Sequence, residues 1–350
     1  MTHPASFIEP QLVDQLRRHA LEAEHLQQLH PHQLQLIHEQ GWLKMLVPKK
    51  YGGLAFSLPE VLKIEESLAY ADGSVAWVVT LCAGAAWFAG YLDPLTAVEI
   101  FADSKTCFAG SGMTSGVAEE IPGGYILNGY WKYVSGALHA TMFTANFIIH
   151  RNGRPILHKR GTPEVRAFVI KQENVTLHKT WHSMGMIATG THAFEVKGVT
   201  VPPHRSFLID ANEVVIYDPV YRYPFLQLAE TTLAVNLSGM AVRFLDLCDE
   251  ILLYKKRGDT SIQKKKLDEC RDRFYDAVES SWESCVHGGM IPERKLREVT
   301  DMSLTMARCA REVVDEIYPH CGLMAADTRE EINRVWRNLH TASQHSLFLK

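Results

Sequence analysis

The sequence contains no C-x-x-C pair. Its seven cysteines, at positions 82, 107, 248, 270, 285, 309 and 321, are odd in number and scattered along the chain. That pattern argues against both a disulfide framework and a paired-thiolate zinc site, and it suits a reducing compartment. No metal is expected. The chain also lacks a dominant charge: 36 basic against 40 acidic residues leave a net charge of −4. No broad field exists to attract nucleic acid or an anionic membrane. The short clusters Lys255-Lys256-Arg257 and Lys264-Lys265-Lys266 read as solvated faces. No internal period and no low-complexity run occurs. The opening MTHPASFIEPQ has neither a basic nor an apolar signal region, so no secretory signal and a cytoplasmic location are expected.

What is present is an ordinary globular composition, 46% hydrophobic and 22% charged. At 350 residues the chain exceeds the size of a single growing core, so two or three packed subregions are expected. The run Val75–Leu92 carries no charge over eighteen residues. Its many Ala and Gly, and the absence of basic flanks, predict a helix buried inside a fold rather than a membrane span.

The pattern divides the chain in three. Residues 1–103 read as helical. Leu12–Gln40 has helical apolar spacing stopped by Gly41, and Ser57 with Glu60 forms a capping box. Residues 104–212 alternate Gly-containing turns with short β-rich runs at Tyr125–Val134, Thr144–His150, Val165–Ile170 and Ala193–Val201, which predicts a small antiparallel β domain. Residues 213–350 hold four amphipathic helices, Leu226–Ile251, Lys264–Cys285, Leu296–Tyr318 and Glu330–Ser346. The expected class is α+β and mostly helical.

The most informative stretch is Cys107–Ala140, CFAGSGMTSGVAEEIPGGYILNGYWKYVSGALHA. A Gly/Ser/Thr-rich segment offers backbone amides and hydroxyls, and an aromatic, Tyr133, stands two residues before a hydroxyl, Ser135. A flat, hydrogen-bonding heterocycle could use that combination. With LVPKKYGG (46–53), EESLAYADGSVAW (65–77), TWHSMGMIATGTHAFEVKGVTVP (180–202) and RNLHTASQH (337–345), the order of pieces resembles the acyl-CoA dehydrogenase superfamily. It is closer to that superfamily's two-component flavin monooxygenases, such as the p-hydroxyphenylacetate hydroxylase oxygenase component.

The resemblance implies an N-terminal helical domain, a middle β domain and a C-terminal four-helix bundle that assembles as a homodimer or homotetramer. It implies a flavin, FAD or FMN, held between the β domain and the bundle. Tyr133 would wall the ring, where the family more often has Trp or Phe. Ser135 would donate a hydrogen bond near N5, Ser111 would meet the pyrimidine edge, and His139 would lie near the substrate.

In RNLHTASQH the second histidine, His345, matches the family's functional one. On the predicted helix Glu330–Ser346 it shares a stripe with Arg334, Asn338 and Thr341, well away from His340. The reaction implied is oxygenation of a small aromatic or heteroaromatic molecule with flavin supplied by a separate reductase. Two alternatives stay open. One is dehydrogenation of an acyl thioester with Glu230 as base, although Leu339–Phe348 lacks the carboxylate of the commonest family position. The other is a degenerate member that binds ligand without turnover.

Overall fold

The computed structural model describes every residue except Gly289 and Lys350. The expected helix over Leu12–Gln40 is three helices, α1 (Pro10–Arg18), α2 (Ala20–Leu26) and α3 (Pro31–Glu39). The first break falls at His19, whose backbone leaves the helical region, and two local features cause the second. Gln27 ends α2 in the left-handed region, and the ring of Pro31 disfavours a helical His30, which is extended. Gly41 is left-handed beyond α3, as its stop role requires.

The Ser57–Glu60 box opens α4 (Leu58–Ala71). The Glu60 carboxylate accepts the Ser57 amide at 2.7 Å and its hydroxyl at 2.6 Å. Asp72 caps α5 (Gly73–Ala86) by accepting the Val75 amide at 2.8 Å. The uncharged run is therefore helical only to Ala86, after which a 3-10 turn carries it to Gly90. Residues 73–90 are long and apolar enough to cross a membrane, but most of the span is buried inside the fold. Helix α6 (Pro94–Phe101) follows.

The middle of the chain is one sheet of β1 (Phe108–Ile121), β2 (Gly124–Val134), β3 (Met142–Arg151), β4 (Arg154–Pro155), β5 (Val165–Lys171), β6 (Thr176–His178), β7 (His192–Val201) and β8 (Ser206–Phe207). Its order is β6-β7-β2-β1-β3-β5-β8, with β4 on β3. The pairs are antiparallel except β1 with β3, which run parallel. The Gly/Ser/Thr-rich segment, which is not among the predicted β-rich runs, is most of β1 and carries register shifts between Ser111 and Gly116. Glycine is needed at 116, where a side chain would strike the rings of Trp131 and Phe147. Those rings, with Phe168 and Phe194, fill the sheet's own core.

The C-terminal part holds α7 (Pro219–Arg222), α8 (Phe225–Lys255), α9 (Ser261–Val286), α10 (Glu293–Cys321), α11 (Leu323–Ala326) and α12 (Glu331–Ala342). The four long helices fall where the periodicity put them, but α12 stops at Ala342, so His345 lies beyond it. A buried ion pair pins α4 to α9: Arg271 Nε donates to Glu66 Oε1 at 2.8 Å and Nη2 to Oε2 at 3.0 Å. The Tyr275 hydroxyl donates to the same carboxylate at 2.9 Å. N-terminal and C-terminal helices share one apolar core. Helix α5 touches β1, α8 and α12, so it lies where helices meet sheet.

Candidate active site

Strand β2 ends irregularly. Its register with β7 shifts between Trp131 and Val134, and Tyr133 adopts φ +61°. A left-handed backbone is uncommon for a bulky aromatic, and persists only where neighbours hold it. The Tyr133 ring is 70% exposed and stands edge-on to Trp181, 6.4 Å between centroids.

Two residues on, Ser135 is only 6% exposed and begins a chain of hydroxyls. Ser135 Oγ lies 2.9 Å from Thr191 Oγ1, which lies 2.6 Å from Thr189 Oγ1. Thr189 Oγ1 in turn lies 2.7 Å from the Met186 carbonyl. That carbonyl also accepts the Trp181 indole N–H at 2.8 Å, which joins the Tyr133 side of the site to the hydroxyl chain.

Proton inventory gives the chain a direction. A carbonyl can only accept, so Thr189 donates to Met186. Each hydroxyl has one proton, so Thr191 donates to Thr189, and Ser135 donates to Thr191. The Ser135 hydroxyl therefore offers a ligand only lone pairs. This corrects the expectation that it donates near N5.

Helix α5 forms a second wall. A side chain at Gly136 would meet Cys82 and Val78 of α5, so the Ser135-Gly136 turn packs on that helix. One residue before Val78, Trp77 stands 5.9 Å from the His345 ring in an edge contact. His345 follows α12 in extended conformation, and its Nδ1 accepts the Leu347 amide at 3.4 Å. Since α12 has ended, the helical stripe with Arg334, Asn338 and Thr341 does not position it; the packing on Trp77 does. Burial lowers its pKa below the ordinary value of 6.5, which keeps the ring neutral near pH 7. His340 goes elsewhere. Its Nε2 lies 3.1 Å from Asp315 of α10, and its ring lies 4.2 Å from that of Trp336.

The acyl-CoA dehydrogenase N-terminal domain matches residues 6–90, and the C-terminal domain of the same family matches residues 263–349. Indole-3-acetate monooxygenase of Pseudomonas putida is 28% identical over 321 residues, covering 87% of this chain and 80% of that protein. The flavin-dependent monooxygenase oxygenase subunit HsaA of Rhodococcus jostii is 24% identical over 96% of this chain and 92% of its own length. The crystal structure of the HsaA monooxygenase from M. tuberculosis superposes with a TM-score of 0.88 at 22% identity, covering 99% of this chain and 96% of that one.

The chain belongs to the acyl-CoA dehydrogenase superfamily. Within that superfamily it stands with the two-component flavin monooxygenases, and it is a flavin-dependent oxidoreductase. The residues fit the cofactor. An outward-facing aromatic held in an unusual backbone conformation, a buried hydroxyl with free lone pairs, and a neutral imidazole against α5 are the kinds of group that a flavin's wall, polar edge and proton transfer call for.

The other expected residues have local contacts of their own. Ser111 lies at the β1 irregularity, and its hydroxyl accepts the Met113 amide at 3.3 Å, an ordinary local turn bond. His139 is in the turn between β2 and β3. Its Nε2 is buried without a hydrogen bond, and burial, reinforced by His38 of α3, pushes its pKa down to about 4. Glu230 is fully buried on the α10 side of α8, where the Thr300 hydroxyl donates to it at 2.6 Å. That bundle setting offers no support for a base acting beside Ser135.

Among the described residues, His19, Glu22 and His30 assemble at metal-ligand range. The His30 Nδ1 accepts the His32 amide at 3.2 Å, which leaves the ring's proton on Nε2, 3.3 Å from Glu22. A nitrogen that carries a proton is a donor, not a ligand, so the geometry is that of a hydrogen-bonded surface cluster.

Sequence reasoning missed Thr189, Thr191, Trp181 and Asn338. All lie within quoted segments, TWHSMGMIATGTH and RNLHTASQH. The T-x-T spacing was a usable signal, since alternate residues entering a strand share a face.

Proposed function

We propose that this chain is the oxygenase component of a two-component system that hydroxylates a small aromatic or heteroaromatic molecule, using reduced flavin delivered by a separate reductase. The left-handed Tyr133 beside the buried Ser135–Thr191–Thr189 chain carries this reading. The named activities of the relatives, on indole-3-acetate in one case, set the substrate class.

Bound reduced flavin, FMN or FAD, supplies the activation of dioxygen. Tyr133 and Trp181 would wall its ring, Ser135 would meet its N5 edge, and Ser111, on the β1 segment, would serve its pyrimidine edge. His345, neutral and packed on Trp77, holds or moves a proton at Nε2 for the substrate. His139 closes the substrate side. Residues 1–103, 104–212 and 213–350 form the helical, β and bundle domains, and the protein works in the cytoplasm. Exposed Leu253, Tyr254, Ile262 and Leu323 near the ends of the long helices support assembly as a homodimer or homotetramer through the bundle.

The test supplies the protein with reduced FMN or reduced FAD, a panel of phenols and indoles, and ¹⁸O-labelled dioxygen. One labelled oxygen in a hydroxylated product is expected. Unsaturated products without label, or turnover that needs no flavin, would overturn the proposal.

A further inference from the structure

Thr189 and Thr191 lie behind Ser135, have no expected contact with a ligand, and yet determine what Ser135 can offer one. The Met186 carbonyl fixes the proton of Thr189, Thr189 fixes that of Thr191, and Thr191 fixes that of Ser135. The three side chains are buried, at 6% exposure or less, so water does not compete for these bonds. The end of the chain is anchored. Met186 is tied through its amide to Asn338 Oδ1 at 2.6 Å, and its carbonyl is shared with Trp181.

The two redox forms of a flavin differ at the edge assigned to Ser135. Oxidised flavin has a bare N5 that accepts a hydrogen bond. Reduced flavin has an N5–H that donates one. A serine confined to accepting matches the reduced form and leaves two lone pairs facing each other with the oxidised form.

We propose that Thr191 and Thr189 are positioning residues that make this site select reduced over oxidised flavin, by holding Ser135 as a hydrogen-bond acceptor. The inference rests on the assignment of Ser135 to the flavin N5 edge. It accounts for how an oxygenase component can take reduced flavin from solution and release it once oxidised, without any movement of the backbone.

The experiment is an anaerobic titration of the purified protein with oxidised FMN and with dithionite-reduced FMN, repeated with FAD, following tryptophan fluorescence. The quantity read is the ratio of the two dissociation constants. The native protein should favour the reduced form. In Thr191→Val the proton of Ser135 is released and can turn toward a bare N5, so the ratio should fall by roughly 3- to 10-fold, the worth of one hydrogen bond. Thr189→Val should act alike, because Thr191 is then free to donate to Ser135, and it serves if Thr191→Val does not fold. Thr191→Ser keeps the hydroxyl and should keep the ratio. Folding of each variant is checked by its melting temperature. An unmoved ratio in both valine variants, or an equal change in Thr191→Ser, overturns the relay alone. Failure of the native protein to bind any flavin form overturns the flavin site and the relay with it.

Discussion

Asn338 accepts the Met186 amide at 2.6 Å, across 152 positions of sequence. This bond fastens the last helix to the loop between β6 and β7 that carries Thr189 and Thr191. Gly185 lies directly on the Arg337 carbonyl, where a side chain would collide. Arg337 donates to the Met184 carbonyl at 2.6 Å and pairs with Glu24 at 2.8 Å. Asn338→Ala would leave the Met186 amide buried without a partner. It should lower stability by about 1–3 kcal/mol and weaken reduced-flavin binding as the loop loosens. Denaturant unfolding and the anaerobic titration check both, and loss of stability with intact binding would show the loop does not depend on the tether.

The two histidines of RNLHTASQH should separate cleanly. His345→Ala should slow turnover by roughly 10²–10⁴-fold, as loss of a proton-transfer group does, with flavin affinity nearly unchanged. His340→Ala removes a ring packed at a tilt against Trp336 in the bundle and should leave turnover close to native. Steady-state rates at saturating reduced flavin decide this, and equal losses from both changes would contradict it.

His139 should make the protein acid-sensitive. Its pKa falls from 6.5 to about 4 in the fold, so between those values the unfolded chain binds more protons than the folded one. Stability is then present above pH 6.5 and is lost as pH drops toward 4, by up to about 3 kcal/mol. His345, lowered by burial, acts in the same direction. His38 faces His139, with Lys44, Lys105 and Asp103 acting on His38. His139→Gln should unfold less steeply with acid than the native protein. Urea midpoints at pH 7, 5.5 and 4 measure the slope, and an unchanged slope would place the acid sensitivity in another group.

The Glu66–Arg271 pair should behave as a buried ion pair. Arg271→Met strands the Glu66 carboxylate among Ser238 and Tyr275 and should cost about 3–5 kcal/mol. The double change Glu66→Leu with Arg271→Met should recover much of that loss. If the double variant is no more stable than the single one, the stranded charge is not the cause.

Much of the helical scaffold was legible in the sequence because its signals are local. The Ser57–Glu60 box, the Gly41 stop and the apolar period of α8 each act within a few residues. Strand β1 was not, because its Gly/Ser/Thr content hides a strand that pairs in parallel with a partner brought in by the fold. The break at His30-Pro31 was readable from Pro31 alone and was overridden by the apolar spacing around it. At the site, Tyr133, Ser135 and His345 were reached through motif order, but the reason His345 faces Trp77 lies in the end of α12, not in a helical stripe. Thr189 and Thr191 acquire their role only when β7 lies beside β2, and the polarity of the Ser135 hydroxyl follows from the Met186 carbonyl, which is tied to it only through the folded hydroxyl chain.

The most direct measurement of the central claim is binding of reduced flavin by the protein carrying Ser135→Ala against the native protein, under anaerobic conditions. Native protein should bind reduced FMN or FAD, and the variant should bind it roughly 2- to 10-fold more weakly, the loss of one hydrogen bond. Equal affinity in the two proteins, or no binding of any flavin form to the native one, would contradict the account.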